Sequence, residues 1–181
     1  MTTQQMAVIA IAAVLIFWMV GAYNRLMALR NGIGAAFALV DDGLMRRAEA
    51  VAPLTAALRE PLHSEQGALD TLLAAQQQLR NAADALRARP MMASLVAAVV
   101  ACESDVAAAS SRVLALLEQH PQLLADAAVA PYVATLRDAD ARLHFARQTF
   151  NEAAQRYNEA ARQFPTRWLV RLYGFGKAGR L

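Results

Sequence analysis

Cysteine occurs once, at Cys102, so no disulfide can form within the chain and no cysteine-rich metal site can be assembled. Its simplest role is that of a small buried apolar side chain. Glycine (8) and proline (6) are scarce, and aromatic residues make up 7%. A chain poor in these and rich in Ala, Leu, Arg, Gln and Glu favours helices, so the expected class is all-α. Lysine is confined to Lys177, and the arginines are spread along the chain rather than massed. The net charge of +3 therefore comes without the basic stripe and reader motif that nucleic-acid binding needs, and no nucleic-acid partner is expected.

Signatures of chemistry are also missing. No G-x-G-x-x-G, Walker or C-x-x-C motif occurs. Glu60 and His63 have the E-x-x-H spacing of di-iron bundles, but Pro61 falls where helix continuity is needed, and no second such pair completes a site. His120 precedes a proline, and His144 has no obvious partner. Glu103 and Asp105, two residues apart, diverge around a helix, and Ser110-Ser111 has no His or Asp near in sequence. The sequence assigns no catalytic, cofactor-binding or metal-ligating residue, and no cofactor or small-molecule substrate is expected. The rival reading is a metal-binding or enzymatic helical bundle whose distant residues converge.

Hydrophobic residues make up 57% of the chain against 18% charged, and the mean hydropathy is +0.25. That is too apolar for an ordinary soluble domain, and one segment accounts for much of it. Residues 6–23, MAVIAIAAVLIFWMVGAY, contain no charged side chain. Eighteen helical residues span roughly 27 Å, close to the ~30 Å hydrocarbon core of a bilayer. The preceding MTTQQ has no basic side chain and the apolar run is long, which argues for an uncleaved anchor over a signal peptide. Arg25 and Arg30 follow the span and no basic residue precedes it. The positive-inside rule then puts the N-terminus outside and the rest of the chain in the cytoplasm.

Residues 24–164 read as a helical bundle. Ile33, Phe37, Val40, Leu44, Val51, Leu54 and Leu58 step at helical spacing, with Arg47 in one apolar slot. Pro53 is expected to kink or break this helix, and Pro61 to end it. Ser64 is the expected N-cap of a second helix to about Arg89, with Leu69, Leu72, Leu73, Leu79 and Leu86 inward. A third helix, from about Met91 to Glu118, turns Leu95, Val99, Cys102, Val106, Val113 and Leu117 inward, and Asp126 can cap a fourth.

That fourth helix has the clearest period. Tyr132, Leu136, Ala139, Leu143, Ala146, Phe150, Ala153, Tyr157, Ala160 and Phe164 alternate steps of four and three. This is an a/d packing seam in which bulky residues alternate with alanine. Asn151 and Asn158 flank it. They either face solvent or hydrogen-bond a neighbouring helix and fix its register.

If successive helices are antiparallel, the fourth returns to the bilayer, and Pro165 stops it there. Residues 165–181 then form a short basic amphipathic tail in which Trp168, Leu169, Arg171, Leu172, Tyr173 and Phe175 contact the headgroup region. The alternative is that these residues cap the end of the bundle.

Taken together, YNRLMALRNGIGAAF (Tyr23 to Phe37), VDDGLMRRAEAVAPL (Val40 to Leu54), RLHFARQTFNEAAQRYNEAARQFP (Arg142 to Pro165) and the Gly174-Phe175 pair resemble the LemA family of bacterial membrane-anchored helical proteins. The resemblance implies one N-terminal transmembrane helix with a short external N-terminus and a cytoplasmic antiparallel helical bundle, and it supplies no catalytic residues. The combined expectation is a single-pass protein of the bacterial cytoplasmic membrane with an elongated antiparallel four-helix bundle. It is expected to act as a non-enzymatic scaffold or adaptor in membrane organisation or partner binding, its partners being the lipid bilayer and either another membrane protein or its own copy.

Overall fold

A computed structural model describes residues 3–164, 166, 167, 170 and 175–181. The described residues are all-α, in five helices: α1 (Thr3–Leu58), α2 (Gln66–Ala88), α3 (Ala93–Glu118), the single turn α4 (Pro121–Leu124) and α5 (Ala130–Arg162). The β-type pairing among them is one isolated bridge between Met92 and Ala178.

α1 is 56 residues long and has two halves of opposite character. Every described residue up to Val20 is exposed, including Val8, Ile11, Val14 and Phe17, the last at 77%. From Leu26 onward, Ile33, Phe37, Val40, Leu44, Val51, Leu54 and Leu58 are buried at steps of three, four and seven. The stripe is continuous because the helix is continuous. Its described residues up to Val20 are exposed, and the most apolar window of α1, with a mean hydropathy of 2.4, is wholly unburied. α3 also has an apolar window of span length (mean hydropathy 1.5), but a third of it is buried and it carries the buried Glu103.

Of the kink or break expected at Pro53, the break does not occur: α1 runs on through it to Leu58. A proline inside a helix costs about 3 kcal/mol. Val51, Leu54 and Leu58 are fully buried around it, each contributing about 1.5–3 kcal/mol. Packing on both sides of the proline therefore outweighs its local cost. Ser64 is not the cap of α2 either. A 3₁₀ turn at His63–Glu65 leads into that helix, whose start has no side-chain cap. Gln66 instead donates its amide to the carbonyls of Arg59 and Leu62, tying the turn back to the end of α1. Asp126 accepts from the Ala128 N–H at 2.7 Å, shaping the turn before α5.

α1 packs most extensively on α5, α2 on α3, and α1 less extensively on α2. The α1–α5 pair is antiparallel. Trp18 meets Phe164, Phe37 meets Phe150, Gly43 meets Leu143 and Arg47 meets Asp140, with numbers falling along one helix as they rise along the other. α5 thus returns to the level of the exposed apolar half of α1. The helices run in the order α5–α1–α2–α3, and among the described residues α3 and α5 share no extensive interface. Part of the C-terminal segment lies between them.

The seam of α5 is corrected at its ends. Leu136, Leu143, Phe150 and Tyr157 are buried as expected. Tyr132 is half-buried and Val133 takes the inward position. A tyrosine at the rim keeps its hydroxyl near water, a constraint valine lacks. Ala154, not Ala153, is the buried alanine there. Phe164 is 68% exposed because α5 ends at Arg162 and Gln163 is extended (ψ 148°). Its ring leaves the helical register and stacks edge-on to Trp18 at 5.3 Å. In α3, Val96 and Glu103 are buried where Leu95 and Cys102 were expected, and those two are half-buried.

Candidate functional site

The most polar part of the interior joins three helices. Arg47 of α1 is 3% exposed and Glu103 of α3 7%. One Glu103 oxygen accepts from Arg47 and the other from Arg147 of α5. Arg47 also reaches Asp140 of α5 at 3.3 Å. Two guanidinium groups and two carboxylates balance in charge, so burial of the cluster is tolerable. Burial pulls the Arg47 guanidinium below its usual pKa, opposed by the Asp140 carboxylate beside it. Burial, then the positive charge of Arg47, lowers Arg147 in the same direction. The cluster ties α1, α3 and α5 at one level of the body. Sequence reading missed Glu103 because a carboxylate is the least expected residue on a buried face. The signal that could have found it was Arg47, a cation in an apolar slot that needs an anion opposite.

A groove between α3 and α5 runs from this cluster toward the apolar half of α1, and residues 176–181 lie along it. Asn158 donates its amide to the Ala178 carbonyl at 3.0 Å and accepts the Ala178 N–H at 2.9 Å. Asn151 does the same with Leu181, at 2.6 and 2.8 Å. In extended backbone the N–H and C=O of one residue point to the same side, and a carboxamide presents a matching donor and acceptor. The spacing matches as well. Two helical turns separate the asparagines, roughly 10 Å. Three extended residues separate Ala178 and Leu181, again roughly 10 Å. The Tyr157 hydroxyl donates to the Gly176 carbonyl at 3.3 Å, and Arg180 donates to Gln155 at 2.8 Å. Burial pushes the Tyr157 phenol above its usual pKa, partly offset by Arg30.

The opposite wall is α3. Met92 bridges Ala178, and a Cβ on Gly179 would stand 2.9 Å from Val96 Cβ and 3.0 Å from Ala93 Cα, so any side chain there is excluded. Ala178 is 2% exposed. Beyond Leu181 the groove opens into a cavity of about 280 Å³ lined by Val40, Val99, Val100 and Ser104, with Glu103 and Arg147 of the ion cluster. The asparagines flanking the seam thus bond the C-terminal segment and not a neighbouring helix. They hold the C-terminal segment by its backbone, a partner the sequence does not reveal because an amide carries no mark of what it binds.

Of the residues expected to contact the membrane, Trp168, Leu169, Arg171, Leu172 and Tyr173 lie outside the described residues. Phe175 is half-buried on α1, its ring 6.5 Å from that of Tyr23 and 5.5 Å from the Arg30 guanidinium. That places it at the junction of the exposed apolar half of α1 and the buried half. Next to it, Arg30, Arg89 and Lys177 line an open cavity of about 790 Å³ with no acidic residue among its described lining residues. Glu60 and His63 are both exposed at the far end of the body. Among the described residues, no three His, Cys, Asp or Glu side chains converge as a metal site would require.

The LemA family profile matches residues 36–180, from within the buried half of α1 to the last residue but one of the grooved segment. The chain belongs to the LemA family. The match includes the ion cluster, both asparagines and nearly all of the segment they hold. No curated relative matches the chain significantly.

Proposed function

We propose that this LemA protein is a non-enzymatic scaffold anchored by α1 in the bacterial cytoplasmic membrane, with its N-terminus outside and its helical body in the cytoplasm. The observation that carries the reading is the change of environment along one unbroken helix. Residues 6–20 of α1 are exposed on every face, while Leu26 and those after it are packed in a core. An apolar cylinder exposed all round is unstable in water and stable in lipid. Because no break separates the halves, the body is held at a fixed height by its anchor. Arg25 and Arg30 follow the span, which supports the cytoplasmic placement. The body offers long helical faces and a peptide-lined groove, features suited to binding another membrane protein or a second copy. The rival reading as a metal-binding or enzymatic bundle predicts stoichiometric metal in the purified protein.

The test is sedimentation of native membranes washed at alkaline pH, combined with cysteine labelling from either side. The full chain stays with the membrane, Thr2→Cys reacts with an impermeant reagent in intact cells, and Gln78→Cys reacts only after lysis. Release by the alkaline wash would refute the anchor, and the opposite labelling would refute the orientation.

A further inference from the structure

The acidic residues of this chain avoid one end of the body. None of the 15 Asp and Glu lies in residues 1–40, 85–102 or 160–181, and these three stretches carry half of the 18 Lys and Arg. The fold brings described parts of all three together around the cavity of about 790 Å³ at the junction of the two halves of α1. Arg30 comes from α1, Arg89 from the turn between α2 and α3, and Lys177 from the segment held in the groove. All three are exposed, and none pairs with a carboxylate among the described residues. Pro90, Met91, Met92 and Phe175 add an apolar wall beside them. Like charges gathered without a counter-ion repel one another, so the arrangement is suited to an anion from outside the chain.

We propose that this cavity holds the phosphate headgroup of an anionic phospholipid from the leaflet that surrounds α1 next to Tyr23. The proposal rests on the anchored reading above and gives the anchor a lipid preference. Height, charge and wall favour a lipid over a soluble anion. Arg30 stands seven residues beyond Tyr23, the end of the apolar run, roughly 10 Å along the helix. Side chains on a helix lean toward its N-terminus, here toward the bilayer. The Arg30 guanidinium lies 5.5 Å from the centre of the Phe175 ring, and that ring stands 6.5 Å from the ring of Tyr23. The headgroup layer extends about 5–7 Å beyond the hydrocarbon, so the cationic head reaches it. Arginine meets a phosphate with two parallel N–H donors, and lysine meets it as a point charge. A zwitterionic headgroup would bring its own ammonium to a wall whose described residues include no carboxylate to receive it. The site therefore favours a lipid of net negative charge, with Met91, Met92 and Phe175 against its glycerol and first methylenes.

The test uses the full chain reconstituted in phosphatidylcholine bilayers with a trace of acyl-spin-labelled lipid, either phosphatidylglycerol or phosphatidylcholine. The motionally restricted fraction of the spin-resonance spectrum reads the lipid held at the protein. Phosphatidylglycerol is expected to be selected by about fivefold or more, since each basic residue at an anionic surface contributes roughly that factor. Arg30→Gln, Arg89→Gln and Lys177→Gln together should bring the ratio to within about twofold of unity. All three positions are exposed, so these changes remove no core packing. A charge-matched chain with Arg25→Gln, Arg162→Gln and Arg167→Gln, altered at the same end but outside the cavity wall, should keep most of the selection. Arg30→Lys with Arg89→Lys, which changes both side chains and keeps the charge, should keep it too. Equal losses from the two glutamine sets would assign the preference to diffuse surface charge and overturn the proposal. Absence of selection in the native chain would overturn it as well. Displacement of the labelled lipid by inorganic phosphate, against sodium chloride of equal ionic strength, would give the cavity to a soluble anion instead of a lipid. Should the chain fail to co-float with phosphatidylcholine vesicles, the anchor is refuted, and co-flotation of the same variants with phosphatidylglycerol vesicles still decides the cavity.

Discussion

Gly43 of α1 sits directly on Leu143 of α5: a Cβ added to Gly43 would stand 2.9 Å from both Cγ and Cδ2 of the leucine. Glycine inside a helix costs about 0.5–1 kcal/mol relative to alanine. Here it lets two helix backbones approach where a seam leucine already fills the space. Gly43→Val is therefore expected to destabilise the full-length protein by about 1–3 kcal/mol, the usual range for overpacking. Gly43→Ala is expected to lose stability as well, despite its better helix propensity. Denaturant titration in detergent checks both, and a stabilised Gly43→Ala would show that the contact relaxes freely.

Glu103→Ala removes the anion shared by two arginines and leaves Arg47 buried with Asp140 alone. Removing one partner of a buried ion pair costs about 3–5 kcal/mol. The expected result is a drop of that size in unfolding free energy. Ser104→Ala, on the exposed neighbour, should change it by less than about 0.5 kcal/mol.

Tyr157 titrates later in the folded chain than in the unfolded one, because burial disfavours the phenolate. Its contribution to stability is fully present below the ordinary tyrosine value of 10.0 and is lost as pH rises through the raised folded value. Unfolding free energy should therefore fall above about pH 10. Tyr157→Phe should flatten that fall while costing about 0.5–1.5 kcal/mol at neutral pH for the lost bond to Gly176.

Pro53→Ala restores an N–H inside α1 without disturbing Val51, Leu54 or Leu58. The gain is expected at about 2 kcal/mol, the ~3 kcal/mol helix cost less the ~0.4–1 kcal/mol by which proline restrains the unfolded chain. Thermal unfolding of the two proteins in the same detergent reads it directly.

The sequence made the helices, the exposed apolar span and the centre of the α5 seam legible, because each rests on periodicity over many residues. It failed where a single residue decides. Pro53 argues locally for a break that distributed packing overrides. Ser64 is a good cap that a 3₁₀ turn displaces. Glu103 belongs on the surface by type and lies inside because Arg47 and Arg147 meet it. Phe164 keeps the heptad spacing, yet α5 ends before it. The groove was least legible, since its partners are backbone groups of Ala178 and Leu181 and backbone is common to every residue.

Placement of α1 in lipid underlies the whole account, and Trp18 reports it. The full chain carrying Trp168→Phe, which leaves one tryptophan, would be reconstituted into bilayers whose acyl chains carry bromine at known depths. Strong quenching of Trp18, greatest for bromine near the headgroup end, is the predicted result. Fluorescence insensitive to bromine at every depth would contradict it.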